Sequence, residues 1–166
     1  MSRERELEHE LEEVVKPHGT RRTQLGEPIA EAEIQSAERT LGVRFPVSFR
    51  TFLLRWGGGL VLDLEIYGIP SEATRISRFS GDSTTGSNLE DDNFVFSILR
   101  ANQRRDRRVP RHLIQFTSDG ADTYFYLDVS RMDSANECPV VVLASDGSVH
   151  TFATSFLDFL KKIRNA

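Results

Sequence analysis

The chain is poor in cysteine, histidine and long apolar runs, and each scarcity removes a class of function. Cys138 is the one cysteine among 166 residues, which excludes an intrachain disulfide and any multi-cysteine metal site. A reducing compartment follows as the expectation. The four histidines, His9, His18, His112 and His150, are scattered, with no His-x-x-x-His or Cys-x-x-Cys spacing, so no metal or cofactor is expected. No segment approaches the ~18 consecutive apolar residues of a membrane helix. The start, Ser2-Arg3-Glu4-Arg5-Glu6, is charged where a signal peptide would need an apolar core. The expectation is a soluble, cytoplasmic protein that engages no membrane.

Catalytic patterns are equally thin. No serine sits in a Gly-x-Ser-x-Gly elbow. Cys138 precedes Pro139 at the start of a strand, without the glycine-rich or helix-N-terminal setting that lowers a thiol pKa. Gly57-Gly58-Gly59 follows a helix rather than opening one and lacks the Lys-Ser/Thr pair of a phosphate cradle. No enzymatic activity is expected.

What the chain does have is concentrated in residues 41–59. Gly42 supplies the left-handed backbone that closes one helix, and Pro46 has a fixed φ suited to the first turn of the next. Phe45, Phe49, Phe52, Leu53 and Trp56 fall at helical spacing and form an apolar stripe that must be covered. The three glycines then release the chain toward a strand. Upstream, Leu7, Leu11, Val14 and Val15 share one face of an N-terminal helix whose remainder is filled by six glutamates, and Pro17, Gly19 and Gly26 punctuate a linker over 17–27. Ala30, Ile34, Ala37 and Leu41 give the helix before Gly42 its buried face.

Downstream, Leu60 to Tyr67 alternate as one half-buried strand, and 71–93 reads as a long polar surface loop. Phe94, Ile98 and Leu99 anchor a short helix leading into an arginine run that Pro110 ends. Ser118-Asp119-Gly120 and Asp146-Gly147 are hairpin turns between apolar strands, and Ser155 with Asp158 caps a closing helix carrying Phe156, Phe159, Leu160 and Ile163. The expected fold is α+β: a mainly antiparallel, twisted sheet of about five or six strands with N-terminal helices and a C-terminal helix packed on it. Residues 1–27 form the helix and linker, and 28–166 a single domain.

Net charge is −4 with 28% charged residues, which disfavours nonspecific attachment to nucleic acid. Arg100, Arg104, Arg105, Arg107, Arg108 and Arg111 make a local basic run, but no aromatic residues are interleaved with them, so a nucleic-acid site there is the lesser alternative. A compact scaffold with long loops and no catalytic centre has the profile of a binding module, expected to be a monomer.

The sequence resembles the SUKH superfamily, which includes fungal cell-wall regulators and many bacterial immunity proteins. The resemblance rests on Glu31-x-Glu33-Ile34, Glu38-x-x-Leu41-Gly42-Val43-x-Phe45-Pro46, Phe49-x-x-Phe52-Leu53, Gly57-Gly58 and Ile66-Tyr67-Gly68-Ile69. It continues with Leu113-Ile114-x-Phe116-x-x-Asp119-Gly120, Tyr124-Phe125-Tyr126-Leu127-Asp128, Cys138-Pro139-Val140-Val141 and Ser155-Phe156-x-x-Phe159-Leu160, covering 28–161. The chain departs from the family at Ala121-Asp122, where members often carry a second glycine pair, and in the arginine run, which is outside the shared pattern. The resemblance implies a non-enzymatic inhibitor that binds a cognate protein toxin, often a nuclease or deaminase. A regulatory scaffold binding an endogenous protein is the alternative.

An acidic inhibitor of a basic toxin gains association rate from opposite charge. From charge and expected exposure, the candidate partner-binding residues are Asp63 and Glu65 on the strand, Glu90, Asp91 and Asp92 in the long loop, and Asp119 and Asp122 at the turn.

Overall fold

A computed structural model describes residues 2–70 and 95–166. All of the expected 71–93 loop, with Phe94 and the candidate residues Glu90, Asp91 and Asp92, lies outside the described residues. Along the described chain run α1 (Arg3–Val15), β1 (Gln24–Leu25), α2 (Glu31–Leu41), α3 (Val47–Trp56), β2 (Gly59–Val61) and β3 (Leu64–Ile66). They are followed by α4 (Ile98–Gln103), β4 (Leu113–Ser118), β5 (Tyr124–Asp128), β6 (Val140–Leu143), β7 (Val149–Ala153) and α5 (Phe156–Arg164). The fold is α+β, and every strand pair is antiparallel.

The strands lie side by side in chain order, but the expected single sheet is divided into β1-β2-β3 and β4-β5-β6-β7. The division is narrow. The Tyr67 N–H donates to the Phe116 carbonyl at 2.8 Å, and the Thr117 hydroxyl donates to the Glu65 carbonyl. Past that point β3 leaves β4, and buried Asn102 of α4 takes over. Its Nδ2 donates to the Gln115 carbonyl at 2.9 Å, and its Oδ1 accepts from the Gln115 N–H at 2.8 Å. A side-chain amide thereby satisfies backbone groups that no strand reaches.

The expected single strand over 60–67 is in fact a hairpin. Leu62 and Asp63 adopt φ of 50° and 67°, the turn geometry normally reserved for Asn and Gly. Contacts from far upstream hold it. The Leu62 N–H donates to the Thr23 hydroxyl at 3.1 Å, the Asp63 N–H donates to the Arg22 carbonyl at 2.8 Å, and Asp63 Oδ1 accepts from the Arg22 N–H at 3.0 Å. Within the 17–27 segment, Gln24 and Leu25 also pair with Leu60 and Gly59. Gly59 has φ 126°, and a Cβ there would lie 2.7 Å from the Gln24 carbonyl oxygen. Close strand approach, as well as helix termination, therefore demands glycine in this triplet.

The helical elbow follows its sequence. Gly42 at φ 68° donates to the Arg39 carbonyl and Val43 to the Glu38 carbonyl, at 3.2 and 3.0 Å, the paired bonds of a Schellman stop. Buried Glu38 then accepts from the Phe45 N–H at 2.7 Å and pairs with Arg50, tying the two helices together. Pro46 is the N-cap of α3 and offers no side-chain cap. The open N–H groups are satisfied from the loop before β6, where the Asn136 carbonyl accepts from Val47 at 2.9 Å and the Glu137 carboxylate from Ser48 at 2.7 Å.

Helices α1, α2, α3 and α5 cover one face of the sheet. Eight of the eleven phenylalanines meet there in a continuous ring network: Phe45, Phe49, Phe52, Phe116, Phe125, Phe152, Phe156 and Phe159. Phe156 lies 5.1 Å from Phe49, 5.3 Å from Phe52 and 5.7 Å from Phe116, each edge to face. Such pairs add about 0.5–1.5 kcal/mol beyond area burial. Leu11, Val14 and Val15 of α1 belong to the same core. Arg164 donates to the Val14 and Lys16 carbonyls at the end of α1, while Arg21 donates to the Ile163 and Arg164 carbonyls at the end of α5. Each helix end is thus closed by an arginine from the other segment.

Candidate functional site

The β3–β4 hydrogen bonds run in opposite chain directions, so the antiparallel order continues across the division between the sheets. In such a meander the β2–β3, β4–β5 and β6–β7 turns all fall along one edge. Asp63 occupies the first turn, Asp119 and Asp122 the second and Asp146 the third. Three of the residues expected from sequence are therefore brought to a common rim. Asp146, legible only as a turn former, joins them.

Asp119 and Asp146 build their turns through side-chain oxygens. The Ala121 and Thr123 N–H groups donate to Asp119 Oδ1 at 2.9 and 3.2 Å, holding its carboxyl below the usual range. The Ser148 hydroxyl, at 2.5 Å, and the Ser148 N–H, at 2.9 Å, do the same for Asp146. In each case only Oδ1 is engaged. His150 Nε2 lies 3.0 Å from the Ser148 hydroxyl. The order is Asp, Ser, His, with the hydroxyl proton committed to the aspartate, so the trio is not a proton relay to a nucleophile.

Glu65 sits one row inward from the rim. Leu64 and Ile66 face the core, which turns Glu65 to the opposite face of the sheet. Glu65 is half-buried there, not on an exposed strand face, and its Oε2 is buried with no hydrogen-bond partner among the described residues. Burial pushes its carboxyl above the usual range.

Tyr124 and Tyr126 share this outer face, and they escaped the sequence reading. Tyr67 approaches Gln115, which pairs with Tyr126, which pairs with Val141, which pairs with Thr151. Tyr126 is only 4% exposed, packed with Leu113 and Val141 beneath Val109 and Leu143. One step nearer the rim, Tyr124 is 45% exposed and Val149 42%, with Leu143 paired to Val149 and, in the same register, beside Tyr124. The available signal was the alternation of Tyr124 and Tyr126 with Phe125 and Leu127, which puts the two residue types on opposite faces. The arrangement is an apolar strip with a half-buried carboxylate across β4 from it and four aspartates in the turns at that edge. Protein interfaces share that anatomy of apolar centre and polar rim.

Cys138 is buried, and burial, with minor contributions from Glu137, Asp128 and Asp133, pushes its thiol up to about 12, so it stays protonated at neutral pH. Among the described residues no group of three or more His, Cys, Asp or Glu side chains is placed to hold a metal ion. No helix of the described residues is long and apolar enough to cross a membrane.

No curated protein matches the chain at a significant level. A family model described as SMI1-KNR4 cell-wall matches residues 31–160, which span the helical elbow, strands β2 to β7 and the Phe156 hub. The chain belongs to this SMI1-KNR4 family of the SUKH superfamily.

Proposed function

We propose that the chain is a non-enzymatic protein-binding module of the immunity type, which neutralises a cognate toxin by covering it with the outer face of its sheet. One arrangement carries the reading: exposed Tyr124 and Val149 flank half-buried Leu143, with Glu65 across the intervening β4 and Asp63, Asp119, Asp122 and Asp146 in the turns at that edge. Tyrosine supplies contact area at low entropic cost, and the rim steers a basic partner. Glu65 is already largely stripped of water. A lysine or arginine on the partner would give its Oε2 the partner it lacks. Nucleases and deaminases carry basic clefts for nucleic acid, which makes them fitting targets.

Titration of the purified chain with the toxin domain encoded beside its gene tests the proposal. The informative variant changes Asp63, Asp119, Asp122 and Asp146 together to asparagine, because asparagine keeps the Oδ1 acceptor that each turn uses while removing the charge. The association rate is expected to fall about tenfold at low salt and to lose most of its salt dependence. An unchanged rate and salt slope would remove the rim from the interface. Absence of binding to the toxin, with capture of an endogenous protein instead, would turn the reading to a regulatory scaffold.

A further inference from the structure

The six-arginine segment lies at the edge of the sheet opposite the aspartate rim, because it leads into the start of β4 whereas the rim lies beyond its end. Six strand residues separate the two, about 20 Å at ~3.3 Å per residue. Here the end of α2, α4 and the 105–111 loop enclose a groove of about 610 Å³. Arg105, Arg107 and Arg111 line it together with one acid, Asp106, and Leu41, Val109 and Ile114 form its apolar part.

The charge of this groove is not balanced from within. Asp106, the one acid of the segment, is held by Arg108 at 2.9 Å. Arg100, Arg104, Arg107 and Arg111 have no ion-pair partner among the described residues. Arg105 is fixed by donating to the Leu113 carbonyl and, at 3.4 Å, to Asn102 Oδ1. Burial holds its guanidinium below the usual arginine range; Tyr126 opposes this, and Arg111 adds a smaller push downward. Like charges thus share one groove, with Arg105 anchored by those two bonds. An anion between them would relieve that repulsion.

The lining also selects among anions. No aromatic ring lines the groove, so it offers nothing for a base to stack on. Apolar side chains instead lie between the arginines, and guanidinium groups pair bidentately with carboxylates. We propose that this groove is a second binding site, for an acidic segment of a protein partner in which glutamate or aspartate alternates with an apolar side chain. It is opposite in charge to the rim and does not depend on the rim's role.

Fluorescence anisotropy of the full chain with a labelled octapeptide of alternating glutamate and leucine tests this. The comparison is with the double variant Arg107→Glu and Arg111→Glu, both exposed positions, its folding checked by circular dichroism. Asp122→Asn serves as a control on the rim. The peptide is expected to bind with an affinity that falls as salt rises, to bind the double variant at least about tenfold more weakly, and to bind the rim variant unchanged. Failure of the peptide to bind, or equal binding by the double variant, would overturn the proposal. So would arginine-dependent binding of a labelled oligouridylate in place of the peptide, which would assign the groove to nucleic acid.

Discussion

The two faces of the sheet are made by alternate residues of the same strands and follow opposite rules. On the helix-covered face eight phenylalanines interlock, and none of Phe45, Phe49, Phe52, Phe116, Phe156 or Phe159 exceeds 1% exposure. Tyr124 and Tyr126 are turned the other way. A phenol differs from a phenyl ring by one hydroxyl that must find a hydrogen bond or water, so it suits a face that is half wet. The inner face fixes the fold, and the outer face keeps unspent binding capacity in Tyr124, Val149 and Glu65.

The sharpest way to break this contrast is to truncate the hub of the inner face. Phe156→Ala removes a fully buried ring that touches three others and should cost about 3–5 kcal/mol. Against a typical total of about 5–15 kcal/mol, that is a large downward shift of the urea midpoint. Partner affinity per folded molecule should be unchanged. A cost under about 1 kcal/mol would mean that the ring network is not a cooperative core.

The reverse pattern is expected on the outer face. Tyr124→Ala leaves no cavity because the side chain is 45% exposed, so its effect on the urea midpoint should stay within about 0.5 kcal/mol. Loss of affinity for a toxin partner should reach about 2 kcal/mol or more, the scale of a central aromatic anchor. Calorimetric titration beside the unfolding curve separates the two. A variant that loses stability but not affinity would place Tyr124 with the core instead of the interface.

The sequence displays this contrast wherever its causes are local. Gly42, Pro46 and the phenylalanine spacing announce the elbow because a Schellman stop and an amphipathic stripe are written within a few residues. The Asp-Gly hairpins and the Ser155 cap are legible for the same reason; Asp158 N–H donates to the Ser155 hydroxyl at 3.0 Å. The turn at Leu62-Asp63 is not, because Arg22 and Thr23, some forty positions away, impose it on residues that locally favour a strand. Likewise nothing near α3 reveals that Glu137 caps it. For the candidate site, charge and expected exposure single out Asp63, Asp119 and Asp122, but their meeting on one edge follows only from the strand order. Asp146 and the tyrosines were hidden by having a sufficient structural explanation, as turn former and strand formers.

The smallest expected effect is also the most diagnostic, because stability and binding should move in opposite directions. Burial raises the folded pKa of Glu65 above its ordinary 4.5. A group shifted upward contributes stability that is fully present below the unfolded pKa and is lost as pH rises through the folded one, so at neutral pH the ionised carboxylate weakens the fold. Glu65→Gln should therefore raise the urea midpoint slightly at pH 7, and the gap over the parent should close as pH falls below about 4.5. Glu137, raised chiefly by its own burial, titrates in both proteins and cancels from the comparison. The same substitution removes the anion that a partner's lysine or arginine would meet, so affinity should fall while stability climbs. A variant that is less stable at pH 7, or whose gap persists on acidification, would show that the carboxylate is held by interactions of the free chain. In that event the outer face would differ from the inner only in its exposure.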